Sequence, residues 1–409
     1  MMKRFSTLLL MAALITGFAA CGDDDNDDQT PPEDNRTATE KIEDLSMNTE
    51  WINYAAATAS ELLDDCIMLW AAWNGKDGVP AEDLARIGGD AFFTTARIGG
   101  ADGYARFLKT AGESGNTVFQ SQEDAIETIL IDGFVNISTE VGAAKIGEPN
   151  GFAKAGQMEN AVYAVESWYS WNSITDYSDN IVSIKNGYCG RRGTNISGAI
   201  SPNSISARIK YINPELDAEV NAAIDNAYNS IQSMTAPFRN NLTGTRVDAA
   251  MDACADLAEI IDGRLLNIAK NSSLDYTEVL RVYADTVVIP TYRDLRDKAW
   301  VLYNAVEALR QSPGDQSKLN AACNAWRATR IPWEQSEAVL FGPASEDILG
   351  LDPSMDSWPL SQEEIATILQ DSNLKTVDDF IDAIGGEDVR GFHTLELLLF
   401  KDGQNRTVR

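Results

Sequence analysis

Between Met47 and Arg409 the apolar residues recur at steps of three and four rather than alternating. That spacing commits the chain to helices, each burying one stripe against its neighbours. The clearest instance is Leu295, Ala299, Leu302, Val306 and Leu309, with steps of 4, 3, 4 and 3 that fit antiparallel bundle packing. The expected fold class is all-α.

Turn and cap residues divide this pattern. A first helix spans 51–73 and stops at Asn74-Gly75; 75–103 is Gly-rich and irregular, with a short helix near 82–87, and another follows at 104–111. Ser121-Gln122-Glu123-Asp124 has the form of a capping box, opening a helix to residue 146 that Pro149-Asn150-Gly151 ends. After a loop at 190–203, Asn213-Pro214 caps a helix to Met234, and 247–268 forms the next. Lys270-Asn271-Ser272-Ser273 is a polar break, the expected boundary between domains at 45–270 and 271–409. A long helix then starts at Asp275, kinks at Pro290 and ends at Pro313-Gly314. The helix through Trp326 runs into Ile331-Pro332, Asp352 to Pro359 is an irregular connection, and Ser361 caps a further helix.

The first twenty residues stand outside the fold. A basic start (Lys3, Arg4), an apolar run from Phe5 to Phe18 and small residues before Cys21 read as a lipoprotein signal, with Cys21 the lipid-bearing end of the mature chain. The acidic stretch 21–44 is then a solvated tether. It resembles the export tags of bacterial surface lipoproteins, which implies an anchor in the outer membrane facing the cell surface, with the periplasmic face as the alternative. Without Lys3 and Arg4 the mature charge is 31 − 62 = −31, which excludes nucleic acid and anionic lipid as natural partners. Cys66, Cys189, Cys254 and Cys323 form no paired motif, and Cys66 and Cys254 fall on core-facing helical positions, so buried free thiols are expected.

Chemistry concentrates at 389–400. His393 is the only histidine, and Glu396, three residues on, shares its helical face amid Phe392, Leu395, Leu397 to Leu399 and Phe400. A buried imidazole–carboxylate pair needs partners to offset desolvation. The spacing suits either a core histidine held by one acid or part of a metal site. Zinc-protease patterns require a second histidine, so a metal here would draw its other ligands from Glu, Asp, Ser or carbonyls, which suits iron, manganese or calcium. Glu334 and Glu337, with Ser336 between them, lie in an apolar setting of Trp333 and Val339-Leu340-Phe341, and like charges so placed need a cation: Arg327, Arg330 or a metal. From Val165 to Tyr188, aromatics interleave with small hydroxyls, either as tight helix packing or as a polar pocket wall. Ser173-Ile174-Thr175-Asp176 fits a capping box there, with Asn172 marking a break.

Three blocks carry a resemblance: Trp333-Glu334-x-Ser336-Glu337 through Phe341-Gly342-Pro343, Gly391-x-His393-x-x-Glu396, and Tyr169-Ser170-Trp171-Asn172-Ser173. In combination they resemble the imelysin-like proteins over most of 45–409. The blocks stand in a different order from the family's usual one, so the chain looks circularly permuted, with Phe400 and Met47 expected close in space. The resemblance implies two helical bundles of about four main helices each, with a site between them. It implies metal ligands His393, Glu396, Glu334 and Glu337, with Ser336, Ser170, Ser173 and Asp176 beside them and Trp333 and Trp171 as walls. It also links the chain to iron uptake and carries a peptidase label that the ligand count does not support. The expected function is a surface-anchored lipoprotein that binds iron, another divalent metal or an iron-linked ligand without catalysis. The alternatives are a metallopeptidase using His393 and Glu396, and an adaptor lipoprotein docking an outer-membrane transporter.

Overall fold

In the computed structural model, residues 50–271 and 273–408 are described. The expected signal segment, Cys21, the expected acidic tether and Met47 lie outside them, and with Met47 its expected proximity to Phe400. Helices pack in two sets. In the first, Trp51–Asn74 lies along Ile289–Arg310, which lies along Gln316–Glu334, while Val377–Ala383 and Gly391–Leu399 close onto Trp51–Asn74. The second set is built from Ser173–Cys189, Pro214–Gln232, Thr245–Ile260 and the helix at 122–154. The helix Trp51–Asn74 therefore packs with helices that follow residue 271. Ser173–Cys189 meets Gln316–Glu334, and that contact joins the two sets.

Trp51–Asn74 is buried on nearly every face, with Ala55, Ala56, Ala57 and Ala59 allowing neighbours close approach. The helix also buries a carboxyl, Asp65, which is 6% exposed with an Oδ2 that makes no hydrogen bond among the described residues. Burial pushes its carboxyl up to about 7 despite the nearby Arg390 charge. In the long helix 289–310, Leu295, Ala299, Leu302, Val306 and Leu309 are all buried, as their spacing requires. The four cysteines are buried and free.

Pro149 departs from its sequence reading. Pro149 does not end its helix, which continues to Lys154 through π-helical turns at Ile129–Val135 and Glu140–Ile146. Pro290 follows another π-helical segment, Tyr283–Val288. In both places the proline falls in the first turn after a widened segment, where a residue lacking an N–H is tolerated as it is at a helix start. Three further elements differ from expectation. Ser204 caps an additional helix, Ile205–Ile212. Leu351–Asp356 is a short helix rather than irregular chain. Phe400–Lys401 pairs antiparallel with Gln404–Asn405, Phe400 opposite Asn405.

Candidate functional site

Gly391 explains how the site is assembled. Its φ is +81°, and a Cβ there would stand 2.4 Å from the carbonyl oxygen of Met355. Only glycine combines that conformation with so close an approach. The helix Gly391–Leu399 can then begin directly against Leu351–Asp356, which carries His393 onto Asp356.

His393 is fully buried. Its Nδ1 lies 3.1 Å from Glu396 Oε2, so the expected pair forms within one helical turn. Its Nε2 stands 3.1 Å from Asp356 Oδ1 and 3.7 Å from Glu166 Oε1, close enough for ion pairing but aligned for no hydrogen bond. The Trp358 ring meets the imidazole edge-on, centroids 4.9 Å apart. Burial alone would lower the imidazole's pKa; Asp356 above all, then Glu166 and Glu396, outweigh it and hold the ring well above the usual histidine range.

The turn at 165–172 supplies the second contribution. Ser170 gives both its backbone N–H (2.8 Å) and its Oγ (2.7 Å) to Glu396 Oε1, and Ser167 Oγ donates to Asp176 Oδ2 at 2.5 Å. Two non-glycine residues here, Ser167 and Trp171, have left-handed backbones with φ of 54° and 61°. Each such residue costs about 1–3 kcal/mol, a strain that holds the two hydroxyls inward. Ser173 does not form the expected cap: the helix starts after Asn172, and Ser173 Oγ donates to the Glu166 carbonyl at 2.6 Å.

The cation beside Glu334 is Arg330, whose guanidinium is wholly buried and pairs with Glu334 and Asp356. Its Nη2 also lies 2.9 Å from Glu166 and 3.3 Å from Asp176. Arg327 instead lies over the Phe400 ring and donates to Asn405. A second cation comes from the helix at 122–154: Lys145 Nζ is 2.9 Å from Glu166, 3.7 Å from Glu140 and 3.9 Å from Glu337.

The expected residues thus meet the site in different ways. His393, Glu396, Ser170 and Asp176 converge. Glu334 and Glu337 belong to Arg330 and Lys145, while the carboxylates within ion-pair reach of the imidazole are Glu396, Asp356 and Glu166. Trp333 is a wall with a function, donating its Nε1–H to Asp356 Oδ2 at 2.7 Å. Trp171 is not a wall: it is 37% exposed, its ring against Gly403, and Trp358 takes that role. Ser336 closes its own helix end by donating to the Trp333 carbonyl. Asp356, Glu166 and Lys145 had no local pattern to mark them.

Seven carboxyls (Glu140, Glu166, Asp176, Glu334, Glu337, Asp356, Glu396) contact three cations (Lys145, Arg330, His393). The excess divides them. Burial holds Glu334 and Glu337 well above the usual carboxylate range despite Arg330 and Lys145. Burial, opposed by Arg330 and reinforced by Glu166, lifts Asp176 to about 6. For Glu166 burial is outweighed by Lys145 and His393, which bring it down to about 2. Asp356 is held well below the normal range because Arg330 and His393 outweigh its burial. Such an acid-rich interior has room for one more positive charge. Glu166, Asp356 and His393 each offer one ligand atom, all within 4.8 Å of one another, and a second group of that kind is Glu166, Asp176 and Glu334. An imidazole nitrogen with two carboxylate oxygens fits ferrous iron or manganese.

A family model described as Imelysin matches residues 22–263 and 288–409. Iron-regulated protein A of Synechococcus elongatus is 31% identical over 147 residues, which is 36% of this chain and 37% of that protein. The chain therefore spans little more than a third of that relative's length. The crystal structure of an imelysin peptidase from Bacteroides ovatus is 38% identical and matches with a TM-score of 0.75, over 90% of this chain and 97% of that one.

Proposed function

Because this chain belongs to the imelysin family, we propose that it is an iron-related binding protein rather than a hydrolase, taking up a divalent cation beside His393. An iron-related role holds at the level of the family, in which a cyanobacterial relative is named Iron-regulated protein A. Nε2 of His393, its proton displaced by the incoming ion, would hold the cation with Glu166 and Asp356, and Glu396, fixed by Ser170, would orient the ring through Nδ1. The observation that carries this reading is Nε2 itself, fully buried and facing two carboxylates at 3.1 and 3.7 Å with no well-aligned hydrogen bond among the described residues. Catalysis on a peptide would need an open coordination position and a route to it, whereas His393 and Glu396 are both fully buried.

The test is anaerobic calorimetry with ferrous iron on the native chain and on His393→Ala. The native chain is expected to bind and the variant not; identical isotherms overturn the reading. Chelator-sensitive cleavage of an unfolded protein, lost in Glu396→Ala, would establish the peptidase instead. We place the protein on the outer membrane through a lipid on Cys21, working with a transporter or an iron-linked ligand. Metabolic labelling with palmitate, expected to vanish in Cys21→Ala, tests the anchor.

A further inference from the structure

Arg330 stands where a cluster of this composition would hold a metal. Its guanidinium is fully buried, with Nη2 facing Glu166, Asp176 and Glu334. Those three residues present oxygens within 4.8 Å of one another. Their other oxygens are already tied: Glu166 Oε2 by Lys145 at 2.9 Å, Glu334 Oε2 by Asn180 at 2.6 Å, and Asp176 Oδ1 by Asn172 at 2.6 Å. One oxygen of each faces a common centre, that of Asp176 while also accepting from Ser167. Glu334 Oε1 pairs with Nη2 by distance yet is aligned for no hydrogen bond, and the guanidinium Nε has none among the described residues. Arginine therefore meets this centre with directional hydrogen bonds from Nη2 to Glu166 and Asp176, and holds Glu334 Oε1 by charge alone. Its two arms also reach Glu166 and Asp356, the oxygens assigned above to the cation beside His393.

We propose that Arg330 is the built-in occupant of a second cation position, formed by Glu166, Asp176 and Glu334, and that by sharing Glu166 and Asp356 it weakens the hold on the ion at His393. The second half rests on the reading of the His393 site; the first half does not. A guanidinium cannot dissociate from its own chain, so its single charge stays among these acids permanently and denies the position to a second divalent ion. Without it Asp176 and Glu334 would lose the cation they pair with, Glu166 would keep only Lys145 and His393, and the cluster would take up protons or a cation.

The experiment counts Mn²⁺ bound per chain, by electron paramagnetic resonance of the free ion, in native protein and in Arg330→Met. The native chain is expected to bind one ion and the variant two, with the first held at least about tenfold tighter. Equal stoichiometry and affinity in the two proteins overturns the proposal and leaves the His393 reading intact. No ion in the native chain but one in the variant supports the occupancy of Arg330 and sinks the His393 reading. No ion in either protein overturns both. Should Arg330→Met be unfolded in chelator, Mn²⁺ is expected to restore its helical circular dichroism, and failure to do so overturns the proposal.

Discussion

Asp356→Asn is the substitution that most severely tests the buried network. The side chain keeps its shape but loses the charge that meets Arg330 through one oxygen and His393 at 3.1 Å, while its second oxygen accepts from Trp333 at 2.7 Å. Breaking one partner out of a buried ion pair costs about 3–5 kcal/mol, because the remaining charge stays desolvated. Arg330 retains Glu166 and Asp176 at 2.9 and 3.3 Å, as well as Glu334, so the low end applies and the loss should be about 3 kcal/mol. That is a large part of the ~5–15 kcal/mol that holds a typical domain folded. In urea, with a slope near the ~3 kcal/mol/M of larger domains, the midpoint should fall by about 1 M at unchanged slope. His393→Ala in the same background should add less than it does alone, by about 0.5–3 kcal/mol, since the two groups share one network. A midpoint within ~0.2 M of the native one, with strictly additive losses, would show that the charges do not act together.

Other expectations follow from the same structure. Asp65 has a folded pKa of about 7 against 3.8 for an unburied carboxyl, so its folded form binds the proton more tightly. The pH-linked cost of its burial is therefore absent below pH 4 and grows progressively as pH rises to 7, by a few kcal/mol at most. Asp65→Asn should gain on the native chain across that window in urea titrations, and parallel curves would contradict the assignment. Gly391→Ala forces a Cβ to 2.4 Å from the Met355 oxygen at a left-handed φ, and should lower stability by about 3 kcal/mol or more by thermal unfolding. A loss below ~1 kcal/mol would mean that the helix start can shift. Ser170→Ala removes one of the two donors to Glu396 Oε1, and should cost about 1.5 kcal/mol and weaken cation binding about tenfold by calorimetry. Unchanged affinity would separate Glu396 from the site.

What the sequence discloses here is local. Leu295 to Leu309 announce their helix because period and burial are the same fact seen twice. His393 and Glu396 announce their pairing because three residues on a helix is one turn. Arg330 could be weighed for Glu334 because it lies one turn away, yet its ties to Glu166 span 164 residues, and no spacing rule reaches that far. Asp356, Glu166 and Lys145 were hidden for the same reason: a charged residue reads alike in sequence whether it faces water or the core. Pro149 misled because a widened turn absorbs the missing N–H, and nothing in the residue types marks that turn. Trp171 misled because sequence gives the side chain but not its direction, and a left-handed backbone turns that ring outward against Gly403.

The most direct test of the account is an anomalous difference map from crystals of the native protein loaded with Mn²⁺. A single buried peak is expected within about 2.5 Å of His393 Nε2 and of one oxygen each from Glu166 and Asp356. Peaks confined to surface carboxylates, or none, with the imidazole still facing Asp356, would contradict a cation site at His393.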